Sequence, residues 1–454
     1  MKKRGKVRLS PAQIVALGFL AMIFIGSILL TLPIATTNNT SLPWIDAFFT
    51  SASAVCVTGL SLFDCGTTLS LFGQIVLIVL IQAGGLGFMT MTSFVYMLIG
   101  KRITLKERMV LQESLNQSEL QGVVKSAKTI LIMTLVIESI GAIILSIRFI
   151  PDYGIAQGIW CGIFHSISAF CNAGFDILGH SNNLASYFTD PTVNITIMLL
   201  IVLGGLGFIV ILEITRKIRH HQSKFSLHAK IVLTVTGALL ILGCVVFCCM
   251  EWNNPDTFGK EGYTAGEKIM GGMFQSVTSR TAGFSSVDQA GLEPASKLVT
   301  VLLMFIGASP AGTGGGIKTT TAAVVFLMLI SIIKGREDVT LRNKRMNQQV
   351  VLRALGIAII SIIFVALVVL VLSIIEQESP ITVEEILFET VSAFGTVGLS
   401  LGSTADFVPA SKVILALTMY AGRVGLITVT IALAKRFANN KENLRFPEER
   451  VLVG

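Results

Sequence analysis

The sequence predicts an all-α polytopic membrane protein made of four tandem units arranged around one central axis. Three observations support this fold class. Hydrophobic residues make up 52% of the 454 residues and charged residues only 14%, and the mean hydropathy is +0.76, whereas a water-soluble chain of this length is far less apolar. The chain contains eight long apolar runs. A short glycine-centred motif recurs four times between them.

The apolar runs are long enough to cross a bilayer, since about 20 helical residues span its hydrocarbon core. The first four are Ala12 to Ile34, Leu71 to Ile99, Thr129 to Ile150 and Val193 to Ile214. The second four are Ile231 to Met250, Leu298 to Ile333, Val350 to Ile375 and Val413 to Ala434. These eight spans form four pairs. The first run follows a basic segment, as in a signal peptide, but its length and the lack of a small-residue cleavage site favour an uncleaved helix.

One glycine motif lies between the two members of each pair. The motifs are CVTGL around Gly59, CNAGF around Gly174, RTAGF around Gly283 and GTVGL around Gly398. Their spacing of about 110 residues indicates one unit repeated four times. We expect the units to cover residues 1–108, 109–222, 223–345 and 346–438, followed by a short polar tail at 439–454.

Each motif follows an apolar segment that is too short to cross the bilayer. The segments are Trp44 to Val55, Gly158 to Phe170, Gly266 to Ser279 and Val383 to Phe394. Backbone can stop at mid-membrane depth only where it is buried in protein or lines water. We therefore predict four re-entrant pore helices, whose negative dipole ends point toward the axis and favour a cation there. Each unit is then helix–pore helix–filter–helix, with all four units around one central pore.

The glycines provide a way to align several carbonyl oxygens on one side of a loop. Such a loop alternates right-handed and left-handed backbone, and only glycine adopts the left-handed form without a Cβ penalty. A ring of carbonyls of this kind replaces the hydration shell of a potassium ion. The candidate ion-binding residues are Val57, Thr58, Gly59, Asn172, Ala173, Gly174, Thr281, Ala282, Gly283, Thr396, Val397 and Gly398. The alternative, four ordinary tight turns, is disfavoured because each motif follows a short apolar helix.

Basic residues predict the orientation of the units. They flank one side of every unit, at Lys2, Lys3, Arg4, Lys6, Arg8, Lys101, Arg102, Lys106, Arg108, Arg216, Lys217, Arg219, Lys334, Arg336, Arg342, Lys344, Arg345, Lys435 and Arg436. Both termini would then face the cytoplasm. Acidic residues beside the motifs would concentrate cations at an outer mouth, namely Asp64, Asp152, Glu251, Asp256, Glu376 and Glu378. The net charge of +8 reflects this topology, and no soluble stretch is large enough to form a nucleic-acid-binding face.

The second span of the third unit is interrupted in its middle. One proline and five glycines lie between Gly307 and Gly316, a density that no straight helix tolerates. We expect an irregular intramembrane loop over 307–318, below the filter, where it would obstruct the pore. Its candidate residues are Gly307, Ala308, Ser309, Gly312, Thr313, Gly314, Gly315, Gly316 and Lys318. A phosphate-binding loop is disfavoured because GxxxxGK[ST] is absent, while a plain kink or close helix packing stays an alternative.

Charged residues inside the apolar spans are candidate functional residues. Arg423 lies in the last span, where its guanidinium would either cap carbonyls of the loop and add a positive barrier, or anchor the fold by pairing with Glu138 or another buried acid. Lys318 either lines the inner cavity or extends toward the cytoplasm, and Arg280 is expected to support the filter. The two GGLGF segments are most simply helix-packing positions. The seven cysteines show no metal-ligand spacing and are assigned to packing.

Together these motifs resemble the Trk/Ktr/HKT superfamily of potassium transporters, and more narrowly the membrane subunit of a bacterial Ktr system. The similarity covers nearly the whole chain and rests on SASAVCVTGL, SAFCNAGF, SVTSRTAGF, SAFGTVGLS, the two GGLGF segments and GTGGGIKT. The resemblance implies potassium uptake across the cytoplasmic membrane through a filter with one glycine per unit, with sodium permeation or sodium dependence as options. It also implies that the 307–318 loop is a gate.

The resemblance further implies partners. Its members pair a membrane homodimer with a cytosolic ring of RCK-type nucleotide-binding regulatory subunits, so that nucleotide is bound by the partner only. The basic segments Lys101 to Arg108 and Gly335 to Arg345 are then candidate docking surfaces. The alternative is that these basic residues serve topology alone.

Two other classes of function fit the sequence less well. A secondary carrier with inverted repeats would place successive units in opposite orientations, whereas the basic residues place all four alike. An intramembrane enzyme would need a polar catalytic pair, such as HExxH, and the sequence contains none. A less selective sodium and potassium translocator stays an alternative.

Overall fold

The computed structural model describes residues 10–87, 90–91, 104–114, 122–179, 184–219, 224–336, 338–341 and 344–425. The N-terminal basic residues, Lys101 and Arg102, the part of the eighth predicted span from residue 426 onward and the polar tail lie outside the described residues. The described chain is helical apart from its connecting loops and one short hairpin, which confirms the all-α fold class.

The same order of elements recurs four times along the chain. The first unit contains α1 (Pro11–Thr31), α2 (Trp44–Cys56), α3 (Cys65–Thr68) and α4 (Leu71–Leu86), and α5 (Leu105–Ser114) follows it. The second contains α6 (Val123–Tyr153), α7 (Ile155–Phe170), α8 (Pro191–Gly205) and α9 (Phe208–Arg219). The third contains α10 (Leu227–Glu251), α11 (Ala265–Thr278), α12 (Pro294–Ile306) and α13 (Thr319–Ile333). Strands β1 (Thr340–Leu341) and β2 (Lys344–Arg345) form an antiparallel hairpin before α14 (Gln348–Ile375), α15 (Val383–Gly395) and α16 (Pro409–Val424).

The first long helix of each unit crosses the membrane. Within the described part of the chain, α1, α6, α10 and α14 are long and apolar enough to span a bilayer individually. They contain three of the four apolar runs that were predicted as the first member of each pair, and most of the other, Ala12 to Ile34, since α1 ends at Thr31. A capping box starts α1, where Ser10 Oγ accepts a hydrogen bond from the Gln13 N–H at 3.3 Å and Gln13 Oε1 accepts one from the Ser10 N–H at 2.9 Å.

The four short helices α2, α7, α11 and α15 are the predicted re-entrant helices. They are 13 to 16 residues long, too short to cross the hydrocarbon core. Capping boxes fix the start of two of them, with Thr264 and Glu267 at α11 and Thr382 and Glu385 at α15. Each helix ends at its glycine motif, as the sequence predicted.

The second span of each unit is not one continuous helix within the described residues, whereas the sequence indicated an interruption only in the third unit. Helix α4 ends before Gly87, which has φ of 81°. The axes of α8 and α9 differ by 102° across Leu206 and Gly207, and α16 ends before Gly425 with φ of 90°. A left-handed glycine ends a helix, but residues on both sides of each break are apolar, so hydropathy did not reveal it.

A repeated contact holds three of the four re-entrant helices against the spanning helix of their own unit. In the first three units a serine of the re-entrant helix donates a hydrogen bond to a carbonyl of the spanning helix, beside a glycine. The pairs are Ser51 to Ile23 at 2.7 Å beside Gly26, Ser166 to Glu138 at 2.6 Å beside Gly141, and Ser276 to Leu240 at 2.9 Å beside Gly243. The glycine allows this approach because a Cβ there would overlap the serine hydroxyl.

Helix α10 offers a matched test of this packing, because it carries two glycines in different surroundings. We expect Gly243→Ala to lower the free energy of unfolding by about 1–3 kcal/mol, since the new methyl group would overlap Ser276. Gly237→Ala is the control, because no atom lies within 4 Å of a Cβ at that position. Thermal unfolding of the detergent-purified variants measures the difference. Equal melting temperatures for the two variants would contradict the proposed packing role.

Candidate functional site

The four glycine motifs form loops with two left-handed residues each. We call them the ring loops, and they consist of residues 57–59, 172–174, 281–283 and 396–398. The glycines have φ values of 94°, 69°, 77° and 94°, and the residues two positions earlier, Val57, Asn172, Thr281 and Thr396, have φ values of 59°, 59°, 75° and 49°. The sequence predicted the left-handed glycines. It gave no signal for left-handed valine or threonine, because β-branched residues strongly disfavour that conformation.

The ring loops touch one another in a closed cycle. A Cβ added to the glycine of one loop would overlap the carbonyl oxygen that precedes the glycine of the next loop. The contacts are Gly59 with Ala173, Gly174 with Ala282, Gly283 with Val397, and Gly398 with Thr58. Because the fourth loop contacts the first, the loops close a ring around one axis. No side chain larger than hydrogen fits at the four glycines without displacing this backbone.

The N–H groups of the ring loops bond to the ends of the re-entrant helices. The central residues Thr58, Ala173, Ala282 and Val397 donate to the carbonyls of Ser53, Ser168, Thr278 and Ser392 at 2.8, 2.7, 3.0 and 2.9 Å. The hydroxyls of Ser53 and Ser392 also accept hydrogen bonds from the N–H groups of Gly59 and Gly398, at 3.0 and 3.1 Å. Within the described part of the chain, no hydrogen bond reaches any ring-loop carbonyl. These buried oxygens are therefore available to a cation.

Two ionisable side chains lie behind the ring that the sequence analysis did not single out. His165 is fully buried in α7, with Nδ1 at 2.7 Å from the Cys161 carbonyl and Nε2 at 2.9 Å from Asp176 Oδ1. Glu389 is fully buried in α15 and accepts hydrogen bonds from the Thr404 hydroxyl at 3.0 Å and from a loop N–H. The sequence could have indicated both residues, because ionisable side chains inside short apolar helices are rare. Both side chains connect a re-entrant helix to the segment that follows its ring loop.

An outer cavity of about 570 Å³ opens above the ring and includes all four ring glycines in its lining. Asp64, Asp176 and Asp288 also line it, and of these only Asp64 was among the predicted acidic residues. The expectation for Glu251 and Glu376 was wrong. Both are buried, and their carboxylates accept hydrogen bonds from the N–H groups of Glu293 and Val408, each at 3.0 Å, where α12 and α16 begin.

The 307–318 loop lies directly below the ring. A Cβ on Gly314 would overlap Thr281, and one on Gly315 would lie 2.5 Å from the Thr396 hydroxyl oxygen. An inner cavity of about 830 Å³ begins on the opposite side of the loop, with Gly312, Gly316, Lys318 and Arg423 in its lining. The loop thus separates the ring from the inner cavity.

The broken second span of the second unit holds this loop. The N–H groups of Ser309 and Thr313 donate to the carbonyls of Gly205 and Gly204 at 3.0 and 3.2 Å, and the N–H of Phe208 donates to the carbonyl of Ala311 at 2.9 Å. The GGLGF glycines also pack closely, since a Cβ on Gly204 would overlap the Phe170 carbonyl. The packing interpretation therefore fits, but the sequence did not reveal that GGLGF carbonyls would hold the loop.

Arg423 links the loop to the first unit. Its guanidinium donates to the carbonyl of Thr313, and also to the carbonyls of Gly84 and Gly85 at 2.5 and 3.1 Å. The alternative that it pairs with Glu138 was wrong, because Glu138 Oε2 instead accepts a hydrogen bond from Gln82 at 3.1 Å.

The other two basic candidates differ in their surroundings. The Lys318 ammonium donates to the carbonyl of Gly314, within the loop itself, and the side chain faces the inner cavity. Arg280 is buried next to its ring loop, and its Nε has no hydrogen-bond partner in the described part of the chain. The supporting role expected for Arg280 stays a prediction.

A closed ring of unpaired carbonyls, set on four re-entrant helices between an outer and an inner cavity, defines the class of pore-loop membrane transport proteins. The chain matches the TrkH family model, described as cation transport protein, over residues 9–443. It belongs to this family.

Relatives of known name agree with this placement. The chain is 42% identical over 448 residues to the Ktr system potassium uptake protein B of Bacillus subtilis, covering 99% of this chain and 98% of the relative. It is 40% identical to the potassium/sodium uptake protein NtpJ of Enterococcus hirae, over 100% of this chain and 99% of the relative. The crystal structure of the potassium transporter TrkH from Vibrio parahaemolyticus has the same fold, with a TM-score of 0.73 at 18% identity, covering 97% of this chain and 88% of that chain.

Proposed function

We propose that this protein takes up potassium across the cytoplasmic membrane, with the ion passing through the ring loops. The observation that carries the proposal is the closed cycle of four loops whose buried carbonyls accept no hydrogen bond within the described chain. Carbonyl oxygens in such a ring replace the water that a potassium ion loses. Family membership and the names of the two relatives support potassium as the ion.

The surroundings of the ring favour a cation in the outer cavity and at the ring itself. Three aspartates line the outer cavity and raise the local cation concentration. The carboxyl ends of four helices meet at the ring and add negative dipole ends. All twelve ring-loop residues, 57–59, 172–174, 281–283 and 396–398, are proposed to contribute carbonyls. The four units are proposed to divide at residues 108, 222 and 345.

Sodium is the second candidate ion. One relative is named a potassium/sodium uptake protein, and each ring loop here contains a single glycine. Fewer stacked carbonyl rings give a shorter filter, which discriminates less between the two ions. Sodium is therefore proposed either to permeate in part or to accompany potassium.

The 307–318 loop is proposed to be the gate. It lies between the ring and the inner cavity, and it is not a continuous helix. Hydrogen bonds within the third unit and three backbone bonds to the second unit hold it in place. Arg423 stabilises the closed position, because one guanidinium holds carbonyls of the loop and of the first unit. Its charge also opposes a cation below the ring. Opening requires these contacts to separate.

Regulation is proposed to come from a cytosolic nucleotide-binding subunit, and this chain is proposed to form a homodimer with its termini in the cytoplasm. The Ktr system name of the Bacillus subtilis relative implies further subunits. The β1–β2 hairpin is a suitable docking surface, since it presents exposed Lys344 and Arg345, the latter paired with Asp338 at 2.9 Å. Basic residues also favour a cytoplasmic location for this hairpin.

Rubidium and sodium flux into proteoliposomes tests the proposed function. Wild-type protein is expected to admit rubidium in competition with potassium, and Gly398→Asp to abolish this flux, because any side chain there overlaps the Thr58 carbonyl. Gly262→Asp is the control, since it makes the same change at a left-handed glycine with no atom within 4 Å of its Cβ. Flux that survives Gly398→Asp would refute passage through the ring. Equal rubidium and sodium flux in the wild type would favour the unselective alternative.

The gate proposal predicts a gain of flux in Arg423→Gln. The substitution removes the charged donor to the Thr313 carbonyl, the one bond that joins Arg423 to the loop within the described residues. Such a hydrogen bond contributes about 1.5–3 kcal/mol, so we expect rubidium flux to rise roughly tenfold or more. Arg353→Gln is the matched control, because Arg353 lines the same inner cavity but its side chain is exposed. Unchanged flux in Arg423→Gln would argue against a gating role for this contact.

Docking at the hairpin predicts that charge reversal impairs regulation. We expect Lys344→Glu to weaken binding of a Ktr-type cytosolic subunit severalfold and to reduce the response of flux to ATP, because complementary charges guide such interfaces. Lys224→Glu makes the same change at an exposed lysine beside a different cavity. Pull-down and ATP-dependent flux measure both effects. Equal binding by the two variants would place the docking surface elsewhere.

A further inference from the structure

The side chain of Asn172 joins three parts of the protein below the ring. Asn172 is fully buried and left-handed. With the amide oriented so that its donors face acceptors, Oδ1 accepts from the Thr281 hydroxyl at 3.2 Å. Its Nδ2 then lies 3.1 Å from the Ile201 carbonyl and 3.3 Å from the Thr313 hydroxyl oxygen. One amide therefore connects two ring loops, the α8 helix and the 307–318 loop.

The residue before each central ring position faces the loop in three of the four units. Thr281 lies over Gly314, Thr396 lies over Gly315, and Asn172 reaches Thr313. The fourth such residue, Val57, has no polar side-chain atom to offer. All four residues have the strained left-handed backbone that sets the direction of the ring carbonyls. The 307–318 loop therefore contacts the residues whose backbone conformation sets the direction of the ring carbonyls.

Thr313 is the member of the loop through which these contacts converge. Its hydroxyl also donates to the Phe170 carbonyl at 3.3 Å, where α7 ends. Its N–H donates to the Gly204 carbonyl at 3.2 Å, and its own carbonyl accepts the guanidinium of Arg423. Movement of the loop breaks the polar contacts to the ring and those to Arg423 together.

We propose that the Asn172–Thr313 contact couples ion binding in the ring to the position of the 307–318 loop, which makes Asn172 and Thr313 positioning residues for ion discrimination. The inference rests on the proposed passage of potassium through the ring. A potassium ion that fits the ring holds Asn172 and Thr281 in place and so favours the loop position seen here. By thermodynamic reciprocity, the loop in this position raises the affinity of the ring for potassium by the same factor. The smaller sodium ion binds less favourably at the same carbonyl spacing, so the loop position changes its affinity less.

Thr313→Val tests the coupling because it keeps the branched shape and removes only the hydroxyl. We expect the potassium affinity of the purified protein to fall roughly fivefold, the equivalent of one neutral hydrogen bond, while sodium affinity changes little. Calorimetric titration with potassium and with sodium, at an ionic strength held constant by choline, measures both. Thr313→Ser retains the hydroxyl and is expected to keep the wild-type potassium affinity.

Ser309→Ala is the matched control within the loop. It removes a buried hydroxyl that contacts Thr319 at 2.9 Å and makes no contact with the ring, so it is expected to leave the ratio of potassium to sodium affinity unchanged. A wild-type ratio in Thr313→Val would overturn the coupling. An equal loss of the potassium-to-sodium affinity ratio in Ser309→Ala would also overturn the coupling. It would show that any loosening of the loop lowers the ratio, without the Asn172–Thr313 contact.

A second variant keeps the inference testable if Thr313→Val does not fold. Thr281→Val removes the other hydroxyl bonded to the Asn172 amide and is expected to lower the affinity ratio in the same direction. In the double variant the two effects should be less than additive, since both act through one amide. Fully additive effects of Thr313→Val and Thr281→Val on the affinity ratio would contradict the proposal that both act through the Asn172 amide. Failure of the proposed function has a different signature: flux that survives Gly398→Asp, or no potassium binding by the wild type.

Discussion

The structure depends on the cost of leaving a peptide group unpaired in hydrocarbon, which is several kcal/mol. A chain that breaks its helices at mid-depth must therefore find donors and acceptors elsewhere. Serines at the ends of the re-entrant helices bond the ring-loop N–H groups. Carbonyls of Gly204 and Gly205 bond the 307–318 loop, and Arg423 donates to the carbonyl of Thr313 in that loop and to those of Gly84 and Gly85 at the end of α4. Within the described chain the ring-loop carbonyls accept no hydrogen bond, and the cation proposed to pass through the ring would be their partner.

Much of the architecture followed from local sequence. Four short apolar segments ending at glycine could only be re-entrant in a membrane, and the structure places helices at those segments. Hydropathy failed at the breaks after Leu86 and Leu206, because apolar residues continue on both sides. The left-handed Val57, Thr281 and Thr396 were also missed, since their conformation is imposed by the surrounding packing against local preference. The partners of Arg423 and Asn172 lie in other units, which no local pattern encodes.

Four units in one chain give an approximate symmetry that single residues are free to break. The position of His165 in the second unit is filled by Glu389 in the fourth, and each braces the segment after its ring loop differently. The third unit alone contains the 307–318 loop, and the second unit forms backbone hydrogen bonds with three of its residues, Ser309, Ala311 and Thr313. A ring assembled from four identical subunits has no such freedom. The proposed ion contact, the proposed gate and the bracing residues can therefore be assigned to different units.

The ring can close only after the last unit of the chain has been synthesised. Gly398 closes the cycle against Thr58, and Arg423 binds Gly84 across a sequence separation of 339 residues. Contacts of such long range form late, because the chain between them must first be ordered. During synthesis the first three units must therefore enter the bilayer while one edge of the ring is still open. The emergence of the last unit from the ribosome and its insertion complete the site, so a truncated product would carry most of the helices and none of the closed ring.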